Sequence, residues 1–325
     1  LPYCRNHTFG SGNLFRSLLV FATTVWDTKP MKKMKRTVKT NLTAWALLAP
    51  SLVFLLTFTV FPIFRSIYLG FTRYELGMMK PEFIGLKNYV DLFGSAIFWK
   101  IIGNTVAFSL MTVIPSMVLG LALASLVNHK RKGVGFLRTS FFYPVVMPMI
   151  AIASIWMFIY MADSGMLDQF LLKLGMQPMN VLSYKESVKP AMAFMYVWKE
   201  AGYLMIFFLS GLQNISGELY EAARIDGATG WTAFKKITLP LLGPTLLFVS
   251  TIALTNSIKL VDHIVIMTEG APNNASTMLL FYIYQQGFAW FDQAKASALT
   301  VIMLVIMLAI AMLQFVKSDR KIHYN

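Results

Sequence analysis

The sequence is short of charge, of acidic residues above all, and nearly devoid of cysteine. Only 14% of its 325 residues are Asp, Glu, Lys or Arg, where a soluble globular domain carries about 25%. That is too little charge to coat the water-facing surface of a chain this long. The lone cysteine, Cys4, excludes an intramolecular disulfide and a cysteine-based metal centre. There is no Gly-x-x-x-x-Gly-Lys-Ser/Thr run to cradle a triphosphate, so the chain is not itself an ATPase of that kind. Nor is there a His-Glu-x-x-His or Gly-x-Ser-x-Gly pattern to support an intramembrane hydrolase. Acidic residues number 15 against 29 basic ones, a net charge of +14. The basic residues fall between apolar blocks, which fits membrane topology and argues against nucleic acid as a partner.

What the sequence has instead is apolar length. Hydrophobic residues make up 56% of it, and the mean hydropathy is +0.58. Six segments reach the roughly 20 residues a bilayer crossing needs: Leu42–Phe64, Gly103–Val127, Phe141–Ala162, Ala191–Leu212, Pro244–Val261 and Ser297–Val316. The expected fold class is therefore all-α integral membrane, with about six transmembrane helices. An even number of crossings puts both termini on one side. Lys32, Lys33, Lys35, Arg36, Lys39, Lys130, Arg131, Lys132, Arg138, Arg224, Lys235, Lys236, Lys317, Arg320 and Lys321 gather there, which makes that side cytoplasmic. The expected location is a bacterial cytoplasmic (inner) membrane, with the 65–102, 163–190 and 262–296 loops facing outward. Pro50, Pro62, Pro115, Pro144 and Pro148 interrupt spans, and each removes a helix hydrogen bond. Together they favour bent helices over a straight bundle. Residues 1–30 are expected to be a non-family N-terminal extension, upstream-translated or disordered. Residues 31–41 are expected to be a basic cytoplasmic N-terminus, 42–316 one membrane domain, and 317–325 a cytoplasmic tail.

The informative stretch lies between the fourth and fifth spans, in the 214–243 loop. It reads Glu218-Leu-Tyr-Glu221-Ala222-Ala223-Arg-Ile-Asp226-Gly227-Ala-Thr229-Gly-Trp, and then reaches Ile237-Thr-Leu239-Pro240. Physically this is a short helix, a glycine turn and a second short helix. Ser216 suits the first N-cap, and Glu218 and Glu221 suit the positive end of that helix. Gly227 suits a left-handed stop, and Thr229 a second cap. Adjacent alanines leave a narrow, smooth helix able to enter a cleft on a partner. On these residues alone, an amphipathic helix lying on the membrane surface is an equal reading.

Glu221, Ala222, Ala223, Gly227, Ile237, Leu239 and Pro240 match, without a change of spacing, the signature cytoplasmic loop of importer permeases in the ATP-binding-cassette (ABC) superfamily. Phe83-Ile-Gly85-Leu86-Lys-Asn88-Tyr89 and Thr268-Glu-Gly270-Ala271-Pro272 resemble the sugar and glycerol-phosphate (maltose-permease-like) branch of that family, with Ala271 where a glycine is usual. The resemblance spans roughly Thr40 to the end. It implies a type I importer permease fold with a cytoplasmic coupling helix. It implies an assembly of two homologous permease subunits in membrane lipid, two ATP-binding-cassette ATPases and an extracytoplasmic solute-binding protein. ATP and magnesium would sit on the ATPases, and this chain would bind no cofactor and catalyse nothing. Glu218, Glu221, Ala222, Ala223, Asp226, Gly227, Ile237, Leu239 and Pro240 would form the ATPase-coupling surface.

Polar and charged residues inside a span are costly and so are functional candidates. The fourth span holds Tyr196, Trp198, Lys199, Glu200 and Tyr203; the fifth holds Asn256, Ser257, Lys259 and Asp262. Planar hydrogen-bonding groups and aromatic faces suit a carbohydrate, and the resemblance implies solute contacts in these two regions. The alternative is an intramembrane ion pair, Lys199 or Lys259 with Glu200 or Asp262, holding helices in register. Two lysines would also admit an acidic or phosphorylated solute. A competing class, a secondary transporter or channel working without ATP, would show inverted repeats and would have no use for the Glu-Ala-Ala loop.

Overall fold

The computed structural model describes residues 38–129 and 132–319. The expectations placed on residues 1–30 and 320–325, and most of that on 31–41, lie outside the described residues. Among the described residues two compact units are distinguished, one ending at Pro62 and the other beginning at Ile63. Helix α1 (Val38–Leu55) runs through a π-helical turn (Leu56–Val60) into α2 (Phe61–Gly70). Pro62 has no N–H to offer Phe58, and the helix widens just before it, with Phe61 N–H reaching the Leu56 carbonyl.

In the second unit a two-residue antiparallel ladder, β1 (Thr72–Arg73) on β2 (Glu82–Phe83), pairs Thr72 with Phe83 and Arg73 with Glu82. The helices that follow are α3 (Lys87–Gly94), α4 (Ala96–Val127), α5 (Val134–Val146), α6 (Met149–Ile159), α7 (Met166–Lys173) and α8 (Val188–Gln213). After them come α9 (Gly217–Ile225), α10 (Gly230–Ala233), α11 (Leu239–Leu241), α12 (Gly243–Ile258), α13 (Asp262–Met267), α14 (Leu279–Tyr284) and α15 (Gln293–Asp319).

Among the described residues five helices are long and apolar enough to cross a membrane: Ala44–Gly70, Ala96–Val127, Val188–Gln213, Gly243–Met267 and Gln293–Gln314. A sixth crossing needs correcting. The single span expected over Phe141–Ala162 is two helices, α5 and α6, bent by 96° at Met147–Pro148. Pro148 lacks the N–H that would bond the Pro144 carbonyl, and so the rod breaks there.

The centre of the second unit is the pairing of α4 with α8. Phe108 packs with Met192, Met195, Tyr196 and Ile264; Val127 lies in a second cluster with Leu204, Met205, Phe208 and Leu242. Buried threonines of α4 spend their hydroxyls inside the helix. Thr105 and Thr112 each donate to the carbonyl four residues back at 2.8 Å, as an apolar solvent demands. The outer faces are apolar too: Val106, Ile114 and Val118 on α4, Phe158 on α6, and Val305 and Leu308 on α15 are all exposed. Such a surface needs lipid or another membrane subunit to cover it.

Candidate functional site

The Glu-Ala-Ala loop lies where α4 ends and α8 runs out. Ser216 caps α9 by accepting the Glu218 N–H at 3.3 Å. At the other end of α9, Gly227 takes φ +77°. Ala228 N–H reaches the Ala223 carbonyl at 2.8 Å, and Gly227 N–H reaches that of Arg224 at 3.1 Å. This crossed pair is the Schellman stop, which satisfies carbonyls a helix end would otherwise leave bare. Thr229 then caps α10 through the Thr232 N–H at 3.3 Å. Tyr220 Oη and Thr238 Oγ1, 2.8 Å apart, tie α9 to the π-helical turn Phe234–Thr238. That turn precedes Pro240 as the earlier one precedes Pro62, for the same want of an N–H.

Glu218, Glu221, Ala222, Asp226, Gly227, Leu239 and Pro240 are exposed, while Ala223 and Ile237 are half-buried. The structure thus sets the expected coupling residues on one short double-helix loop. Sequence reasoning passed over two of its neighbours. Ile225 is 88% exposed, and Trp231, stacked on Phe234 at 5.6 Å, is 72% exposed. The available signal was their apolar character inside a charged run. Between the loop and the end of α4 lies a cavity of about 510 Å³, lined by Ser125, Asn128, Tyr220, Glu221, Arg224 and Thr238 among others.

The membrane candidates divide. Glu200 on α8 is buried, and its Oε1 accepts a hydrogen bond from Asn256 Nδ2 on α12 at 3.1 Å. Tyr196 is buried one turn away from Glu200 on α8. Ser257 is buried with its Oγ 3.0 Å from Ser109 Oγ of α4. Trp198 is 44% exposed and meets Trp156 edge-on at 5.8 Å, and Tyr203 packs on Phe207. Lys259 ends α12 and Asp262 begins α13, and both are exposed.

Lys199 turns away from Glu200. Its Nζ donates to the carbonyls of Pro144, Val145 and Met147 at 3.1, 3.2 and 2.7 Å. The ion pair weighed for the lysines is not formed: among the described residues the salt bridges are Arg73–Glu75 and Lys185–Glu186.

At the opposite end of α4 from the Glu-Ala-Ala loop, Asn104 holds another loop. Its Nδ2 donates to the carbonyls of Asn274 and Thr277 at 2.8 and 3.1 Å, and its Oδ1 accepts from Lys189 Nζ at 2.9 Å. Lys100 Nζ adds a bond to the Asn273 carbonyl at 2.6 Å. Residues 273–277 are thereby fastened to α4, and Asn104 is tied in turn to α8 through Lys189.

Comparison with known proteins completes the picture. The profile of a family described as "Binding-protein-dependent transport system inner membrane component" matches residues 116–323. The probable ABC transporter permease protein YurN of Bacillus subtilis (strain 168) is 33% identical over 280 residues, covering 84% of this chain and 96% of that protein. AmyD of Thermoanaerobacterium thermosulfurigenes, a probable permease protein for transport of starch degradation products, is 31% identical over 291 residues, 90% of this chain and 99% of its own length. In fold, the chain superposes with a TM-score of 0.77 on a chain from a bacterial ABC transporter that imports the acidic polysaccharide alginate, at 24% identity, covering 87% of this chain and 97% of that one.

Proposed function

The chain belongs to the family of binding-protein-dependent transport system inner membrane components, the permease subunits of ABC importers, and from that premise we propose how it couples and what it carries. The loop from Glu218 to Pro240 docks in a cleft on an ATPase subunit. The paired permease subunits form the pathway, and a solute-binding protein delivers solute to its outer face. Both termini lie in the cytoplasm with the loop, as the distribution of Lys and Arg favours.

One observation carries the docking: a narrow helix ending in a bare isoleucine, followed by a bare tryptophan, all held by two caps and a Schellman stop. A lever needs such rigidity. When ATP closes the ATPases the loop moves as one body. It carries the ends of α8 and α12, and the pathway changes the side to which it opens. Such coupling needs a two-state element that both sites bias, and the permease pair is that element.

The solute is a carbohydrate or a related polar molecule. Support comes from what the relatives are named for, starch degradation products and alginate, and from the hydrogen-bonding pair Glu200–Asn256 with Tyr196, Trp198, Tyr203 and Ser257 nearby on the same two helices. The test is reconstitution with the neighbouring permease, ATPase and binding-protein genes. Maltose, lactose, alginate oligosaccharides and glycerol 3-phosphate are then screened for stimulation of ATP hydrolysis. Stimulation by a sugar supports the assignment; an ATPase that never co-purifies with this chain defeats it.

A further inference from the structure

The elbow between α5 and α6 leaves carbonyls that no N–H of its own helix can reach. The last four carbonyls of any helix are in that position, and Pro148 removes the one N–H that would have met Pro144. Inside a membrane no water makes up the deficit. An ammonium has three N–H donors and no acceptor. Lys199 Nζ bonds three carbonyls, those of Pro144, Val145 and Met147, all within 3.2 Å. Its donors are fully used, and its charge lies against the negative end of α5.

One turn further along α8, Gly202 abuts the same elbow. A Cβ there would sit 2.1 Å from the Phe141 carbonyl oxygen, so only glycine permits the approach. Two adjacent turns of α8 are therefore fitted to α5, one by charge and one by lack of a side chain. A parallel joint exists near the Glu-Ala-Ala loop, where Arg138 of α5 donates through Nη2 to the Val127 carbonyl at the end of α4 at 2.8 Å.

We propose that Lys199 is a positioning residue: it closes the elbow of the broken third span and locks it to α8, so that the elbow moves with the helix that leads into the coupling loop, and it is not a contact for the transported solute. Lys199 lies 14 residues before the end of α8 at Gln213, about 21 Å along the helix. Motion of α9 thus reaches the elbow through a stiff rod with a pinned end. The uncharged-solute reading gains from this, since one of the two lysines that argued for an anionic solute is spent on backbone. The proposal rests on the permease reading above, and its test has one arm that does not.

In that arm, spin labels are placed at Tyr143 on α5 and Ile206 on α8, both exposed, in a Cys4→Ser background. The full chain in nanodiscs should give a narrow distance distribution. Lys199→Met should broaden it, and Lys199→Arg, which still donates to carbonyls, should restore it. A distribution unchanged in Lys199→Met overturns the joint whatever the protein transports.

In the second arm the reconstituted complex is assayed with its binding protein and the sugar that stimulates the wild type most. Lys199→Met should raise ATP hydrolysis in the absence of sugar by about fivefold or more. The half-saturating concentration of loaded binding protein should stay within about twofold. A large rise in that concentration, with the sugar-free rate unchanged, would make Lys199 a solute contact and overturn the proposal. Gly202→Ala keeps the charge and opens the same joint. It should reproduce both effects, and wild-type behaviour from it counts against the joint even where Lys199→Met fails to assemble.

Discussion

Replacing Gly227 with alanine tests the proposed coupling role of the loop separately from its folding. At φ +77° a left-handed residue is required, and an L side chain there costs about 1–2 kcal/mol. Apart from Gly227 itself and its two chain neighbours, nothing lies within 4 Å of where the new Cβ would stand, so no tertiary clash adds to the cost. The penalty falls on the two hydrogen bonds of the Schellman stop, Ala228 to Ala223 and Gly227 to Arg224, and not on the membrane core. A penalty of 1–2 kcal/mol depletes the intact turn by about 5–30-fold relative to its frayed form. The assay is solute-stimulated ATP hydrolysis in proteoliposomes, with membrane insertion checked by yield and gel filtration. The expected outcome is normal insertion and a stimulated rate lowered toward that range. Asparagine, which tolerates the left-handed region better, should lose less. Equal damage from Asn and Ala, or none from Ala, would refute a mechanism in which this turn's geometry transmits force.

Further expectations concern the cap of α9, the loop held by Asn104 and the buried carboxylate. Ser216→Ala removes the cap of α9 and should weaken retention of the ATPase on an affinity column, through a loss of about 1 kcal/mol in helix stability. Asn104→Leu leaves the Asn274 and Thr277 carbonyls and Lys189 without their partner, at about 1–3 kcal/mol. Limited proteolysis should then cut within 270–277 faster than in the wild type, and an unchanged rate would mean that Lys100 holds the loop alone. Glu200→Ala leaves Asn256 unpaired in the membrane interior. Sugar-stimulated hydrolysis should need more loaded binding protein while the sugar-free rate holds steady, the opposite pattern to that expected of Lys199→Met.

The local structure of the Glu-Ala-Ala loop was legible because its chemistry is local. Caps, charges at the helix start and a left-handed glycine all act within a few residues, so spacing alone conveys them. The long spans were legible from apolar length, though α4 begins at Ala96 and not Gly103, because Phe98 and Ile101 are buried by residues distant in sequence, Leu279 and Leu299 among them. The elbow was not legible. Pro144 and Pro148 announce lost hydrogen bonds, but whether a helix kinks or breaks depends on what else can satisfy its carbonyls. That donor is Lys199, more than 50 residues away. A sequence also does not reveal that three carbonyls already occupy the ammonium of Lys199, the contact on which its proposed positioning role is built. Ile225 and Trp231 escaped notice because their apolar character inside a charged run gains meaning only once their exposure is known.

The central claim is that the α9–α10 loop sits against an ATPase. Ile225→Cys, made in a Cys4→Ser background, places a thiol at the barest apolar position of that loop. In membranes carrying the whole transporter, a short crosslinker with a maleimide at one end and a photoreactive diazirine at the other should join this cysteine to the ATPase subunit, with a yield that changes when ATP is trapped. A cysteine that instead reacts only with a lipid-headgroup probe, with or without the ATPase present, would contradict the account.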